Sequence, residues 1–226
     1  LGEPGSDQDL KPHYALHCLA NHTLTVEDSK LRSEICEALA LALSDERSAY
    51  IKSYLCQLLQ WAGGKEAAPA LGKLLLDPEL VEPASMALVA IREGADLQFR
   101  SALPRADGIC RLNIVQGLGA VEDVQSIEAL RQAVADADIE VRLAAGWGLA
   151  RMGDAGSVDL LVKAADVPKG RERNQATKHC MVLAEKLRAD GEGGLATKIY
   201  THLRNTRTDP DEIYIRLAAT KALSAA

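Results

Sequence analysis

Residues 13–22 read HYALHCLANH, with three histidines and a cysteine in ten positions. His13 and His17 stand four apart, which on a helix puts both imidazoles on one face and supplies half of a zinc site. Two ligands do not close such a site, and the sequence offers no obvious third. No metal and no other cofactor is therefore expected, with His13 and His17 carried as the candidates. Other chemical motifs fail on their frames. AGGKEA at 62–67 lacks the glycine frame and the following Ser or Thr of a phosphate loop, so it reads as an inter-helix turn. No H-E-x-x-H and no G-x-S-x-G occurs. No cysteine has a clear histidine partner for nucleophilic catalysis; His179-Cys180 reads as packing and His202 as isolated. NHT at 21–23 is a formal glycosylation sequon, with meaning only in a secretory pathway. No carboxylate pair can be placed at a pocket. The expectation is a protein that is not an enzyme.

The elements that would carry these residues follow from composition and periodicity. Of 226 residues 47% are hydrophobic and only 4% aromatic, and Ala and Leu dominate, as in closely packed helices. Net charge is −6, which argues against nucleic-acid binding and anionic membranes. Residues 163–221 are the basic exception, with KGRER at 169–173 read as a solvated loop in preference to an anion patch. The five cysteines show no C-x-x-C spacing, and each falls in a helical pattern as a small buried hydrophobe. No apolar run is long enough to span a membrane. The opening LGEPGSDQD has neither Met nor a signal core. It reads as a flexible leader over residues 1–9 of a processed or excised chain.

The rest is a repeat. IKSYLCQLLQWAGG, LVEPASMALVAIREG, ICRLNIVQGLGAVED and IEVRLAAGWGLARMGD align on Leu59, Leu88, Leu118 and Leu149, at spacings of 29, 30 and 31. IYIRLAATKAL repeats the pattern to Leu223, and KPHYALHCLAN reads as a degraded copy ending on Leu19. Each anchor helix is followed by a short linker and a second apolar helix. Positions one, four and eight before the anchor join it in one stripe, the core face. In that register Ala15, Cys18 and Leu19 point inward, and His22 lies half-buried at the helix end. Seven before the anchor stand Arg111, Arg142 and Arg216, each preceded by an Asp (Asp107, Asp138, Asp211). These read as a ladder of ion pairs between repeats, ahead of ligand-binding arginines.

DIEVRLAAGWGLARMGD at 138–154 resembles the short HEAT-like repeat of bacterial helical solenoids, the type also called phycobilisome-lyase HEAT-like. Its Asp, Val-Arg, Ala-Ala, Leu and closing Gly-Asp sit where that repeat has them, and the likeness extends over roughly 28–223. The resemblance implies an all-α fold, a right-handed α-α superhelix of about six helix pairs. Residues 10–226 are then one solenoid, a module of a longer protein. It also implies a curved inner surface that binds, with other domains of the parent chain among its partners.

Two and six before the anchor, side chains point away from the core and should meet solvent. These columns hold His13 and His17 at the start, and Met86, Leu112, Gln116, Leu143 and Trp147 in the middle repeats. Exposed apolar residues recurring in adjacent repeats mark contact surfaces, unless a neighbouring helix covers them. The expected site is therefore a protein or peptide groove centred on Trp147, with Leu143, Leu112, Met86 and Gln116, flanked by Arg111 and Arg142. The leading reading is a non-enzymatic scaffold that binds protein or peptide through its concave face. The alternatives are a phycobilin-lyase-like or metal-dependent enzyme, and a HEAT-like DNA-lesion binder, against which the acidic balance and Glu82 count. The compartment stays open between cytoplasm and periplasm.

Overall fold

The computed structural model describes residues 1–2, 5–25, 27–44 and 46–224. Among them the chain is all-α. In order the helices are α1 Asp7–Thr25, α2 Ser29–Ala42, α3 Ala49–Ala62, α4 Ala68–Gly72, α5 Val81–Ile91, α6 Ala95–Ala102, α7 Gly108–Val121, α8 Ile127–Ala133, α9 Ile139–Met152, α10 Val158–Ala164, α11 Arg171–Ala189, α12 Gly193–Thr206 and α13 Ile213–Ser224. The chain divides into two compact units, Leu1–Gly117 and Leu118–Ala226, and the division falls within α7.

Local chemistry sets the helix ends. Asp28 caps α2 by accepting from the Lys30 and Leu31 amides, and Asp138 caps α9 by accepting from Glu140 N at 2.8 Å. Gly153 ends α9 in the left-handed conformation, φ 67°, where a Cβ would be strained. Two further caps repeat 31 residues apart. Asp123 and Asp154 each begin a short 3-10 turn and accept from a serine three residues on, Ser126 and Ser157. α8 and α10 thus start from a shared Asp-x-x-Ser device.

In the first unit α3 packs on α1, α2 and α5, and α4 lies against α5 and α6. The predicted stripe is the core here: Leu55, Leu58 and Leu59 on α3 and Ala84, Ala87 and Leu88 on α5 are buried. Phe99 of α6, also fully buried, fills the space left by Gly117. In the second unit α9 packs on α8 and α11, and α12 on α11 and α13. Val141, Ala145, Gly148 and Leu149 form the buried stripe of α9. Gly148 lies so close to Gly119 that a Cβ on it would come within 3.0 Å of the Gly119 Cα. Small residues in that column are what let the two backbones approach.

The stripe fails in α1. Ala15, Cys18 and His22 are exposed, and Leu19 is 40% exposed. The face in use lies one residue further along, about 100° round the helix, and includes His13, Leu16, His17 and Ala20. Its neighbour explains the rotation: α3 presents Tyr50, Tyr54 and Trp61 to α1, and the imidazoles pack on those rings. The other four cysteines are buried as expected. α1 begins at Asp7, inside the stretch read from sequence as leader.

Candidate functional site

α9 and α11 border a cavity in the second unit. It holds about 120 Å³ and is lined chiefly by Val134, Leu143, Leu161 and Val167, with Arg142, Glu172 and His179 as its polar groups. Leu143 is only 8% exposed, which corrects its placement on an open surface. Packing of the long helix α11 on α9 covers it, so that it becomes a wall of the cavity. Gly146, one turn along α9, leaves room for the His179 ring, whose Nδ1 would lie 3.2 Å from any Cβ there. Burial pushes the His179 imidazole down to about 4, and the Lys178 charge adds to the shift. At neutral pH the cavity therefore contains an uncharged imidazole.

Arg142 stands at the same cavity, and its partner is not Asp138, which is occupied as the cap of α9. Its Nε donates to Glu172 at 2.8 Å, and its Nη1 donates to the carbonyls of Asp136 and Ala137 at 2.8 and 3.0 Å. Arg173 repeats the arrangement on the next helix pair. Its Nε donates to Glu212 at 2.7 Å and its Nη1 to the Val167 carbonyl. An arginine at a helix start thus grips both a loop carbonyl six residues back and a glutamate of the following repeat. KGRER is solvated at Lys169, Gly170 and Arg171, as read from sequence, but from Arg171 on it is helix α11, and its charged side chains are paired. Lys169 pairs with Asp209 at 3.1 Å and with Asp211, Arg171 with Glu140, Glu172 with Arg142 and Arg173 with Glu212. The charges of this stretch are thus spent on ion pairs with neighbouring segments.

Trp147 is half-buried rather than open. The Arg151 guanidinium lies 4.9 Å from its ring centroid, and the ring borders Gly119. Arg151 is itself held by Glu122 at 2.7 Å. In the first unit Met86 is 49% exposed and Gln116 is exposed, while Arg111 and Leu112 are half-buried.

His13 and His17 are packing groups, and His13 is also hydrogen-bonded. His13 lies 3.9 Å from Tyr54, centroid to centroid, and His17 makes an edge contact with Trp61 at 5.2 Å. His13 Nδ1 donates to the Asp9 carbonyl at 3.0 Å and stands 3.0 Å from Asp9 Oδ1. Among the described residues no three His, Cys, Asp or Glu side chains gather as a metal site.

Sequence reasoning missed a buried ionic cluster. Arg207 is wholly buried, donating to Thr177, Thr206, the Ala165 carbonyl and Asp166. His202 is not isolated: its Nε2 is 3.0 Å from Asp166. Burial pushes the Asp166 carboxyl up, but hydrogen bonds from His202 and Arg207 outweigh this and hold it below the usual carboxylate range. The only sequence signal was local basicity, since arginine in a linker ordinarily reads as solvated.

The comparisons agree with this architecture. Residues 97–180 match the family model for HEAT repeats, so that stretch is built of them. The fold as a whole is shared with solved structures. One is an engineered protein, at 18% identity and TM-score 0.56, covering 98% of this chain and 66% of that one. Another is the complex of CpcE and CpcF of phycocyanin lyase from Nostoc sp. PCC7120, at 17% identity and TM-score 0.51, covering 98% and 91%. The chain thus spans just under two thirds of the engineered protein's length. At these identities the likeness concerns the fold, a HEAT-like helical solenoid. No curated protein matches the sequence. No helix among the described residues is long and apolar enough to cross a membrane.

Proposed function

We propose that the chain is a non-enzymatic binding module that takes up a protein or peptide by seating one apolar side chain in the cavity between α9 and α11. The observation that carries this reading is the cavity itself, apolar-walled and open beside the Arg142–Glu172 pair. Its volume of about 120 Å³ approaches the roughly 150 Å³ of an apolar protein cavity that admits benzene. That suits a leucine- or methionine-sized group. Burying such a group contributes about 2 kcal/mol, roughly thirtyfold in Kd. The neutral His179 adds one polar contact at the cavity, and Arg142 and Glu172 a charged rim. Met86 and Gln116, with the half-buried Leu112 and Arg111, are proposed as contact residues on the first unit's own surface. Trp147 is assigned a supporting role under Arg151. The partner is a separate protein or another domain of a longer parent chain.

Selection of a random peptide display library on the intact chain tests this. The expected result is peptides sharing one apolar anchor, with binding reduced about thirtyfold by Ala164→Leu, which places an isopropyl group in the cavity. Peptides without a common anchor, or undiminished binding to the variant, would overturn it. A second reading, a phycobilin-lyase-like activity, is favoured by the phycocyanin-lyase neighbour. Its mark would be an absorbance shift when free phycobilin is mixed with the chain, and the binding-module reading predicts none.

A further inference from the structure

The first unit carries a cleft of about 500 Å³ between α1, α3 and the turn before α5, lined by His13, Tyr50, Ser53, Tyr54, Gln57 and Glu79. Ser53 and Gln57 come from the outward columns of their repeat, so the cleft lies on the face left free by the core stripe. Both tyrosine rings are anchored by their hydroxyls. Tyr50 donates to Asp9 at 2.9 Å, and Tyr54 donates to the His13 carbonyl at 2.7 Å. Glu79 is placed by a local turn in which its amide donates to Asp77 at 2.9 Å. Among the described residues no lysine or arginine lines the cleft, and the His13 Nδ1 is turned to Asp9.

The geometry points to a binding site for an organic cation of the alkylammonium class. His13 packs on both rings, at 5.7 Å from Tyr50 and 3.9 Å from Tyr54 between centroids, so it is the ring surface beyond the imidazole that the cleft offers a cation; the Glu79 carboxylate supplies the counter-charge, and fixed rings lose little entropy on binding. The first unit as a whole has the matching sign of net charge: residues 1–117 carry 16 Asp and Glu against 11 Lys and Arg. Polar Ser53 and Gln57 can solvate the edge of the cation without competing for its charge. The site is separate from the cavity of the second unit, so either can fail alone. The cation can come as a basic or methylated lysine side chain on a peptide, or as a free quaternary amine.

Titration of the full chain with choline, and with a peptide bearing trimethyl-lysine, tests the site, followed by calorimetry and by the tyrosine NMR signals. The neutral isostere 3,3-dimethylbutanol is the control. The expected result is binding of both cations with Tyr50 and Tyr54 perturbed, and no binding of the alcohol. Glu79→Gln, an exposed change that leaves the fold intact, should weaken binding about fivefold, and Tyr50→Leu about tenfold. Tighter binding of the peptide than of choline assigns the site to a protein ligand, and the reverse to a small molecule. Equal binding of choline and the alcohol, no binding of either cation, or indifference to Glu79→Gln would overturn the proposal.

Discussion

Acidification should destabilise the second unit through one side chain, His179. Its imidazole is nearly buried at the cavity wall, and burial holds it down to about 4, against 6.5 for a free histidine. Between those values the unfolded chain binds a proton that the folded chain refuses. The stabilisation is therefore complete above the unfolded value and is lost as pH falls from about 6.5 toward 4. At about 1.4 kcal/mol per pH unit the whole shift is worth about 3 kcal/mol, of which about 2 is gone by roughly pH 4.5. The assay is urea unfolding of the parent and of His179→Leu at roughly pH 7 and pH 4.5. Carboxylates held low, such as Asp166 and Asp209, lose their contribution at lower pH and do so in both proteins. The difference between the two pH dependences thus isolates the imidazole. The parent should lose about 2 kcal/mol more than the variant over that interval. Equal losses would refute the placement of a neutral histidine in the cavity.

Three further changes test the packing. Arg207→Met strands the Ala165 carbonyl and removes the cation beside Asp166 and Glu212, and should cost about 3 kcal/mol in urea unfolding; an unchanged midpoint would mean the cluster does not form. Gly148→Val forces a side chain against the Gly119 backbone and should cost about 2 kcal/mol, read as a lowered Tm, with no shift counting against the close approach of the two helices. Cys18 is exposed, whereas Cys36, Cys56, Cys110 and Cys180 are buried, and burial pushes the Cys56 and Cys180 thiols up to about 12. Alkylation of the native chain at neutral pH should therefore modify a single thiol, and mass spectrometry finding label on Cys56 or Cys180 would contradict the burial.

The repeat was legible because its core columns are apolar and small at fixed helical spacing. From Leu55 and Leu59 to Leu149 the stripe read from sequence is the stripe buried in the fold. α1 was misread because its packing depends on α3: aromatic rings at Tyr50, Tyr54 and Trp61 select the histidine face over the Ala15–Leu19 face. Exposure of the outward columns was misjudged for a related reason. Leu143 looks free when α9 is read alone, and α11, a helix of 19 residues, closes over it. The Arg142 partner lies 30 residues away at Glu172, a separation at which sequence spacing carries no geometric information. The buried Arg207 cluster is illegible for the same reason. Its ligands come from three separate segments, around Asp166, Thr177 and Thr206.

The most direct test of the binding account is methyl-resolved NMR of the whole chain titrated with the display-selected peptide. Binding through the cavity predicts that the methyl signals of Val134, Leu143, Leu161 and Val167 shift together and saturate at one Kd. The same peptide should leave them unmoved in Ala164→Leu. Saturable binding that leaves these four residues untouched in the parent would contradict the account.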